Sequence, residues 1–217
     1  LRGGDTSLWH LPMDRRDFSL PYRDFSKALL IRSDLVKHAY RFMSTIWPDV
    51  WEHAPDVARA LSEIVYEEYT NFTMEPLHGG KMTLYVFLKD GRRVRLGDLG
   101  DGVQTLTVAM LLRKLVGPEL VLWDDVEAHM NPRALLHLAG WLAEVLCDGV
   151  QVVVSTHSLE AVKVIVDVAK DLSRADARIC LLSLRDGVLK ARLMTLEEVE
   201  RYERAGIDAR MGEGFLL

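Results

Sequence analysis

The 217-residue sequence lacks several features that would assign it to a functional class at once. It has two cysteines, Cys147 and Cys180, and neither lies in a CxxC pair or a Cys/His cluster, which argues against a zinc site. It also lacks a basic excess, because 27 Lys and Arg stand against 32 Asp and Glu, for a net charge of −5. The net charge therefore does not indicate a nucleic-acid partner, although it does not exclude a local basic patch.

Long apolar runs are missing as well. None reaches the roughly 18–20 residues that a membrane span needs, and no signal peptide is visible. Both cysteines lie in apolar stretches, and we expect buried thiols in a cytoplasmic protein. The first residue is Leu1 rather than Met, which favours a fragment or a processed chain.

The composition that remains is globular, with 49% hydrophobic and 27% charged residues. Residues 1–80 predict a loop-rich lead-in over 1–30 and then a helical subdomain. Asp34 is a candidate cap for its first helix, which has apolar residues at helical spacing up to Ile46. The second helix is expected from Pro55 to Tyr69.

Residues 81–217 predict the core of an α/β domain. A hairpin is expected first, with strands over 83–88 and 93–96 and a turn that contains Asp90-Gly91. Helices over 102–116, 132–146 and 158–172 then alternate with apolar strands over 119–123, 150–155 and 177–184. Such alternation is typical of a parallel sheet that is covered on both faces. A last hairpin turns at Asp186-Gly187, and Thr195 begins a capping box for a short helix.

Two carboxylates follow the first apolar strand of this core. Asp124 and Asp125 come directly after Leu-Val-Leu-Trp, and ligands of open α/β sheets bind at the carboxyl ends of strands. One carboxylate there can hold Mg²⁺ through water, and the next can polarise an attacking water. An acidic surface turn is the alternative interpretation.

Polar residues follow two other predicted elements. His157 comes after the strand Val152-Val153-Val154 and could contact a phosphate or relay a proton, or simply bond a backbone carbonyl. Gly100, Asp101 and Gly102 precede a helix, where free backbone N–H groups suit a phosphate. An ordinary glycine-rich turn would look the same.

Taken together and in this order, these three segments resemble a known family. They are similar to three segments of ABC-type ATPases. The signature segment corresponds to Leu99-Gly-Asp-Gly, and the Walker B segment to Leu-Val-Leu-Trp-Asp-Asp-Val-Glu-Ala-His-Met-Asn-Pro. The switch segment corresponds to Val-Val-Val-Ser-Thr-His-Ser. The resemblance is to the C-terminal half of the domain, and to the AAA-type branch that includes the overcoming-lysogenisation-defect (OLD) nucleases. It implies a P-loop NTPase-like α/β fold with a mainly parallel sheet.

The resemblance also implies a role for each candidate. Asp124 matches the aspartate that holds Mg²⁺, Asp125 the catalytic carboxylate that activates water, and His157 the switch histidine that senses the γ-phosphate of ATP. Gly100–Gly102 match the signature loop, which closes on the nucleotide of the opposite protomer. ATP, Mg²⁺ and a sandwich dimer, either homodimer or heterodimer, are therefore expected.

Two departures from the family pattern matter most. Asp125 stands where the family has Glu, and a displacement of about 1 Å at a reacting group can cost about 10²-fold in rate, so slow turnover is expected. No GxxxxGK[ST] sequence occurs, and Gly79-Gly80-Lys81-Met82 is the nearest string. A Walker A element from a longer chain or a partner would then complete the ATPase. The alternative is a degenerate, non-hydrolysing interaction module in DNA repair or phage defence.

Overall fold

A computed structural model describes residues 27–173, 177–185 and 187–210. The described residues fall into two compact units, 27–173 and 177–185 with 187–210. None of the described helices is both long and apolar enough to cross a membrane. The helices are α1 (Leu35–Thr45), α2 (Trp47–Val65), α3 (Asp101–Val116), α4 (Pro132–Cys147), α5 (Leu159–Ser173) and α6 (Leu196–Arg204). The strands are β1 (Ala28–Ile31), β2 (Tyr69–Pro76), β3 (Met82–Leu88), β4 (Arg93–Arg95), β5 (Leu120–Trp123), β6 (Gln151–Val154), β7 (Ile179–Arg185) and β8 (Val188–Met194).

A parallel sheet lies at the centre of the larger unit, with β5 between β1 and β6. Because side chains alternate along a strand, Ile31, Trp123 and Val154 share one face of the sheet. That face packs against α3 and α4, and the Trp123 ring meets Trp141 of α4 edge-on at 6.0 Å. The predicted α/β class with a mainly parallel sheet is confirmed.

The opposite face of this sheet is open in the described part of the chain. Leu30, Leu122 and Val153 lie side by side in the register of the three strands. Leu30 and Val153 are each 49% exposed, although both are aliphatic. β6 also forms an edge of the sheet as described. Parallel sheets normally have both faces covered by helices, and on this face the described residues leave the aliphatic side chains half exposed.

An antiparallel sheet, β2–β3–β4, packs beside the helices of the same unit. Phe72, Leu84 and Val86 are fully buried between this sheet and its neighbours. The predicted hairpin at Asp90-Gly91 is confirmed, because β3 and β4 pair in register from Phe87 opposite Arg93.

The N-terminal half of the larger unit differs from several expectations. The loop-rich lead-in was expected to reach residue 30, but the strand β1 already begins at Ala28. The second helix begins at Trp47 and contains Pro55 on its exposed side, where the carbonyl that Pro55 leaves unpaired can reach water. It ends at Val65 because the backbone of Tyr66 is left-handed. Tyr69, which was expected to end this helix, is instead the first residue of β2. Asp34 lies at the first cap but makes no capping bond with its side chain.

Two further expectations are corrected. The strand expected over 177–184 as part of a parallel sheet is instead β7 of an antiparallel hairpin with β8. Asp186 of the predicted turn lies outside the described residues. The Thr195 capping box is confirmed. The expectation of buried thiols is wrong, since Cys147 ends α4 and Cys180 lies on an open strand position, and both are exposed.

A close backbone contact joins the start of α3 to the loop that follows β5. A Cβ atom added at Gly102 would clash with the His129 carbonyl oxygen and lie 2.9 Å from its carbonyl carbon. The Met130 sulfur would be 3.0 Å away. Only glycine therefore allows α3 to begin against this loop.

We predict that Gly102→Ala lowers the free energy of unfolding by about 1–3 kcal/mol, because the backbone must move to admit a methyl group. The matched control is Gly140→Ala in α4, where no atom lies within 4 Å of the added Cβ. This control should leave stability unchanged or raise it by up to about 1 kcal/mol. Urea unfolding of both variants measures the difference, and equal effects would contradict the contact.

Candidate functional site

Backbone pairing continues past the ends of the parallel strands and aligns their polar residues. The Asp124 N–H donates to the Ile31 carbonyl at 2.9 Å, and the Ser155 N–H donates to the Trp123 carbonyl at 2.8 Å. The Val126 N–H in turn donates to the Ser155 carbonyl at 3.0 Å. The turns after β5 and β6 are thereby held side by side at the carboxyl edge of the sheet.

The two adjacent aspartates are both held by one serine. The Ser155 hydroxyl donates to Asp124 Oδ1 at 2.6 Å and accepts from the Asp125 N–H at 2.9 Å. Asp125 has a left-handed backbone, with φ of +51°. This conformation is uncommon for a residue with a side chain and persists where neighbouring contacts fix it.

His157 follows β6 and meets the turn after β5 at two points. Its Nε2 lies 3.7 Å from Asp125 Oδ1, a separation that becomes an ion pair when the imidazole is protonated. Its backbone N–H donates to Glu127 Oε1 at 2.8 Å. The side chain of His157 is 92% exposed, so the imidazole can reach a ligand outside the chain.

Glu127 keeps its charge in this setting. Burial raises the pKa of its carboxyl, but hydrogen bonds from the Thr156 hydroxyl and from the backbone N–H groups of Glu127 and His157 outweigh burial. The net pKa therefore lies below the ordinary value for glutamate. An ionised Glu127 is the form that accepts the His157 N–H.

A cavity of about 240 Å³ opens beside the aspartates. Asp101, Asp124 and Asp125 all line it. Its other lining residues are Arg32, Ser33, Val36, Lys37, Gln104, Thr105, Trp123, Ala128 and His129.

The helix α3 begins at this cavity. Gly100 precedes it with φ of +102° and ψ of 151°, a conformation that favours glycine. The Gly100 carbonyl accepts the first helical bond, from the Gln104 N–H at 3.0 Å. The N–H groups of the first turn have no partner within the helix and carry partial positive charge, which suits an anion.

The carboxylates of Asp124 and Asp125 fit a magnesium ion, which usually keeps several of its bound waters in protein sites. Carboxylate oxygens are the ligands that Mg²⁺ prefers, and one or two of them suffice when phosphate supplies the rest. Within the described ranges no group of three or more His, Cys, Asp or Glu is arranged to hold a metal. Asp124 is the residue that would hold the ion, with Ser155 fixing its carboxylate.

The structure brings the candidate residues of the sequence together. Asp101, Asp124 and Asp125 share the cavity, His157 lies beside Asp125, and Gly100 and Gly102 shape the turn that carries Asp101. Their assigned roles stay predictions. Sequence reasoning missed the Ser155 bonds and the contributions to the cavity of α1 and of the turn between β1 and α1. The Ser-Thr-His-Ser segment was the available signal for Ser155, but its bonding depends on the pairing of β5 with β6.

This architecture defines the class. A parallel sheet with helices packed against it is the α/β fold of P-loop ATPases. The chain belongs to the family described as "AAA domain, putative AbiEii toxin, Type IV TA system", which matches residues 19–163. No curated protein matches the chain.

Solved structures of SMC ATPase heads have a similar fold. One comes from a structural study of ATP-driven dimerization and DNA-stimulated activation of SMC ATPases, with 17% identity and a TM-score of 0.54. The alignment covers 77% of this chain and 96% of that one. Another is the Smc head domain with a coiled coil and joint from Pyrococcus yayanosii, with 16% identity and a TM-score of 0.51. That alignment covers 76% of this chain and 30% of that one. At these identities the likeness concerns the fold alone.

We predict that Glu127 makes stability depend on pH. Because the pKa of folded Glu127 is lowered, its contribution is complete above the ordinary pKa of glutamate and is lost as pH falls through the lowered value. In Glu127→Gln, the free energy of unfolding should therefore fall less steeply below about pH 5. Urea unfolding across this pH range measures the slope, and identical slopes for the two proteins would count against the ionised contact.

Proposed function

We propose that this chain binds and hydrolyses ATP as the C-terminal part of an ABC-like, AAA-type ATPase, completed by a Walker A element from outside the 217 residues. One observation carries the proposal. Asp124, Asp125 and His157 come from the ends of two neighbouring parallel strands and meet beside a cavity that Asp101 also lines. A concavity with a few convergent polar groups is the usual form of a ligand site.

Asp124 and Asp125 take different roles in the proposed reaction. Bound Mg²⁺ would neutralise charge that develops on the transferred phosphate. Asp124 would hold that ion, and the hydroxyl of Ser155 keeps its carboxylate in one orientation. Asp125 is 56% exposed, so its carboxylate is free to accept a proton from the attacking water.

His157 completes the polar group around Asp125. The imidazole Nε2 lies 3.7 Å from Asp125 Oδ1, and the side chain is 92% exposed. When both ring nitrogens are protonated, it would donate to a phosphate oxygen from one nitrogen and to the Asp125 carboxylate from the other. The shorter side chain of Asp125, compared with glutamate, leaves more distance to the attacking water, and we expect slow turnover.

The sheet supports a completing element. The face that carries Leu30 and Val153 is apolar and half exposed, and β6 is an edge in the described chain. A further strand beside β6, with its own helix over this face, would satisfy both the backbone groups of the edge and the aliphatic side chains. The absence of GxxxxGK[ST] from the sequence is consistent with a Walker A element that arrives this way.

A dimer is part of the proposal. Gly100–Gly102 would face the nucleotide of a second protomer, where the amides of the first turn of α3 can bind its γ-phosphate. The similar SMC ATPase fold comes from a study of ATP-driven dimerization, and we extend that behaviour to this chain as an expectation. The second protomer would be a copy of this chain or a related ATPase.

A non-hydrolysing interaction module is the second candidate. Aspartate at position 125 and the missing GxxxxGK[ST] both favour it. Such a module would keep the dimer surface and bind partners without turnover, in DNA repair or phage defence.

The test is Asp125→Asn in the protein purified from its native source together with every segment and partner that accompanies it. Loss of the proton acceptor should reduce ATP turnover by about 10²–10⁴-fold. Nucleotide affinity should change little, because Asp125 acts on water rather than on the bound nucleotide. Steady-state phosphate release and equilibrium binding of a fluorescent ATP analogue measure the two quantities.

Asp167→Asn is the matched control, since it removes the same charge at an exposed position of α5, ten residues beyond His157. It should turn over as the unaltered protein does. Equal turnover in Asp125→Asn and Asp167→Asn would refute the assignment of Asp125. Absence of turnover and of nucleotide binding in the unaltered assembly would leave the interaction module.

A further inference from the structure

We propose that Ser155 is a positioning residue, which fixes the two site aspartates at once and so sets the metal and water geometry. This inference rests on the proposed function for its catalytic consequence. Its structural half can be tested without turnover. Ser155 is the residue after β6, and its hydroxyl, its N–H and its carbonyl all form hydrogen bonds.

The hydroxyl is used in both directions. A serine hydroxyl has one proton to donate, and here that proton goes to Asp124 Oδ1 at 2.6 Å. The same oxygen accepts the Asp125 N–H at 2.9 Å. Asp124 is thereby held with one oxygen occupied, which leaves the second for a hydrated cation.

The backbone of Ser155 adds two further bonds. Its N–H donates to Trp123 at 2.8 Å, and its carbonyl accepts from Val126 at 3.0 Å. Ser155 therefore bonds residues on both sides of the aspartate pair. These four hydrogen bonds hold Asp125 at φ of +51°. With this backbone conformation, the Asp125 side chain points in a different direction from the one it would have if β5 continued as a strand.

The consequence for chemistry is specific. Without the hydroxyl, the Asp124 carboxylate can rotate and the Asp125 N–H loses its acceptor, while the packed core beneath is untouched. Groups that orient a metal ligand typically contribute 10–100-fold to metal affinity or activity. A residue with a merely structural role would lower stability without changing the requirement for metal.

The experiment compares Ser155→Ala with Ser155→Thr, which keeps the hydroxyl. The first measurement is amide hydrogen exchange at Asp125 in the chain itself. The second is a titration with Mg²⁺ alone, followed by the chemical shifts of the Asp124 and Asp125 amides. Ser155→Ala should exchange the Asp125 amide faster and need about 10–100-fold more Mg²⁺ for the same shift. Ser155→Thr should restore both.

Ser158→Ala is the matched control, since the Ser158 hydroxyl accepts the Ala161 N–H at 3.1 Å at the start of α5. It should lower thermal stability and leave Asp125 exchange and the Mg²⁺ titration unchanged. The inference is overturned if Ser155→Ala leaves Asp125 exchange unaltered, or if its Mg²⁺ titration matches that of the unaltered chain. It is also overturned if Mg²⁺ moves neither aspartate amide in the unaltered chain.

Turnover in the native assembly separates this inference from the proposed function. If Ser155→Ala alters exchange and the Mg²⁺ titration while the unaltered assembly hydrolyses no ATP, the proposed function fails and the positioning role stands. If the assembly hydrolyses ATP and Ser155→Ala shifts only kcat without shifting the Mg²⁺ requirement, the positioning role fails and the proposed function stands.

Discussion

The parallel pairing of β5 with β1 and β6 is the constraint on which the site depends. Three short strands of four residues each place their carboxyl ends at one edge, and backbone bonds extend the alignment by one residue beyond Trp123 and Val154. Polar residues that are about thirty positions apart in sequence, such as Asp124 and Ser155, therefore become hydrogen-bonded neighbours. No local property of either turn would bring them together.

The loop after β5 links this edge to the start of α3. Asp125 and His129 are both left-handed, so the chain turns sharply twice within five residues. The second of these turns brings the His129 carbonyl against Gly102, where no side chain fits. The acidic pair and the Gly100–Gly102 turn are thus parts of one packed arrangement, and a shift in either would be felt by the other because close-packed interiors transmit strain.

Sequence reasoning found the parts of this arrangement that have a local signature. An apolar run that ends in Asp124, a glycine turn before a helix and the Asp90-Gly91 hairpin each have such a signature. β1 was missed because four residues are too few for a periodic pattern, and its strand character comes from pairing with β5. Pro55 misled the prediction of α2 because a proline on an exposed helical face can be tolerated. Cys180 was expected to be buried because its segment is apolar. Successive side chains of a strand point to opposite faces, and Cys180 lies on the exposed face of β7.

The open sheet face bears on how the proposed ATPase would work. Aliphatic residues such as Leu30 and Val153 contribute about 25 cal/mol for each Å² that a covering element removes from water. A completing segment would therefore be held largely by the hydrophobic effect, and it would arrive next to β6, the strand that leads into Ser155 and His157. Docking of that segment and ordering of the switch turn would then be coupled, because both use the same strand. Under the proposed function, the completed domain rather than the isolated chain is the unit in which the phosphates of ATP are placed against Asp124 and His157.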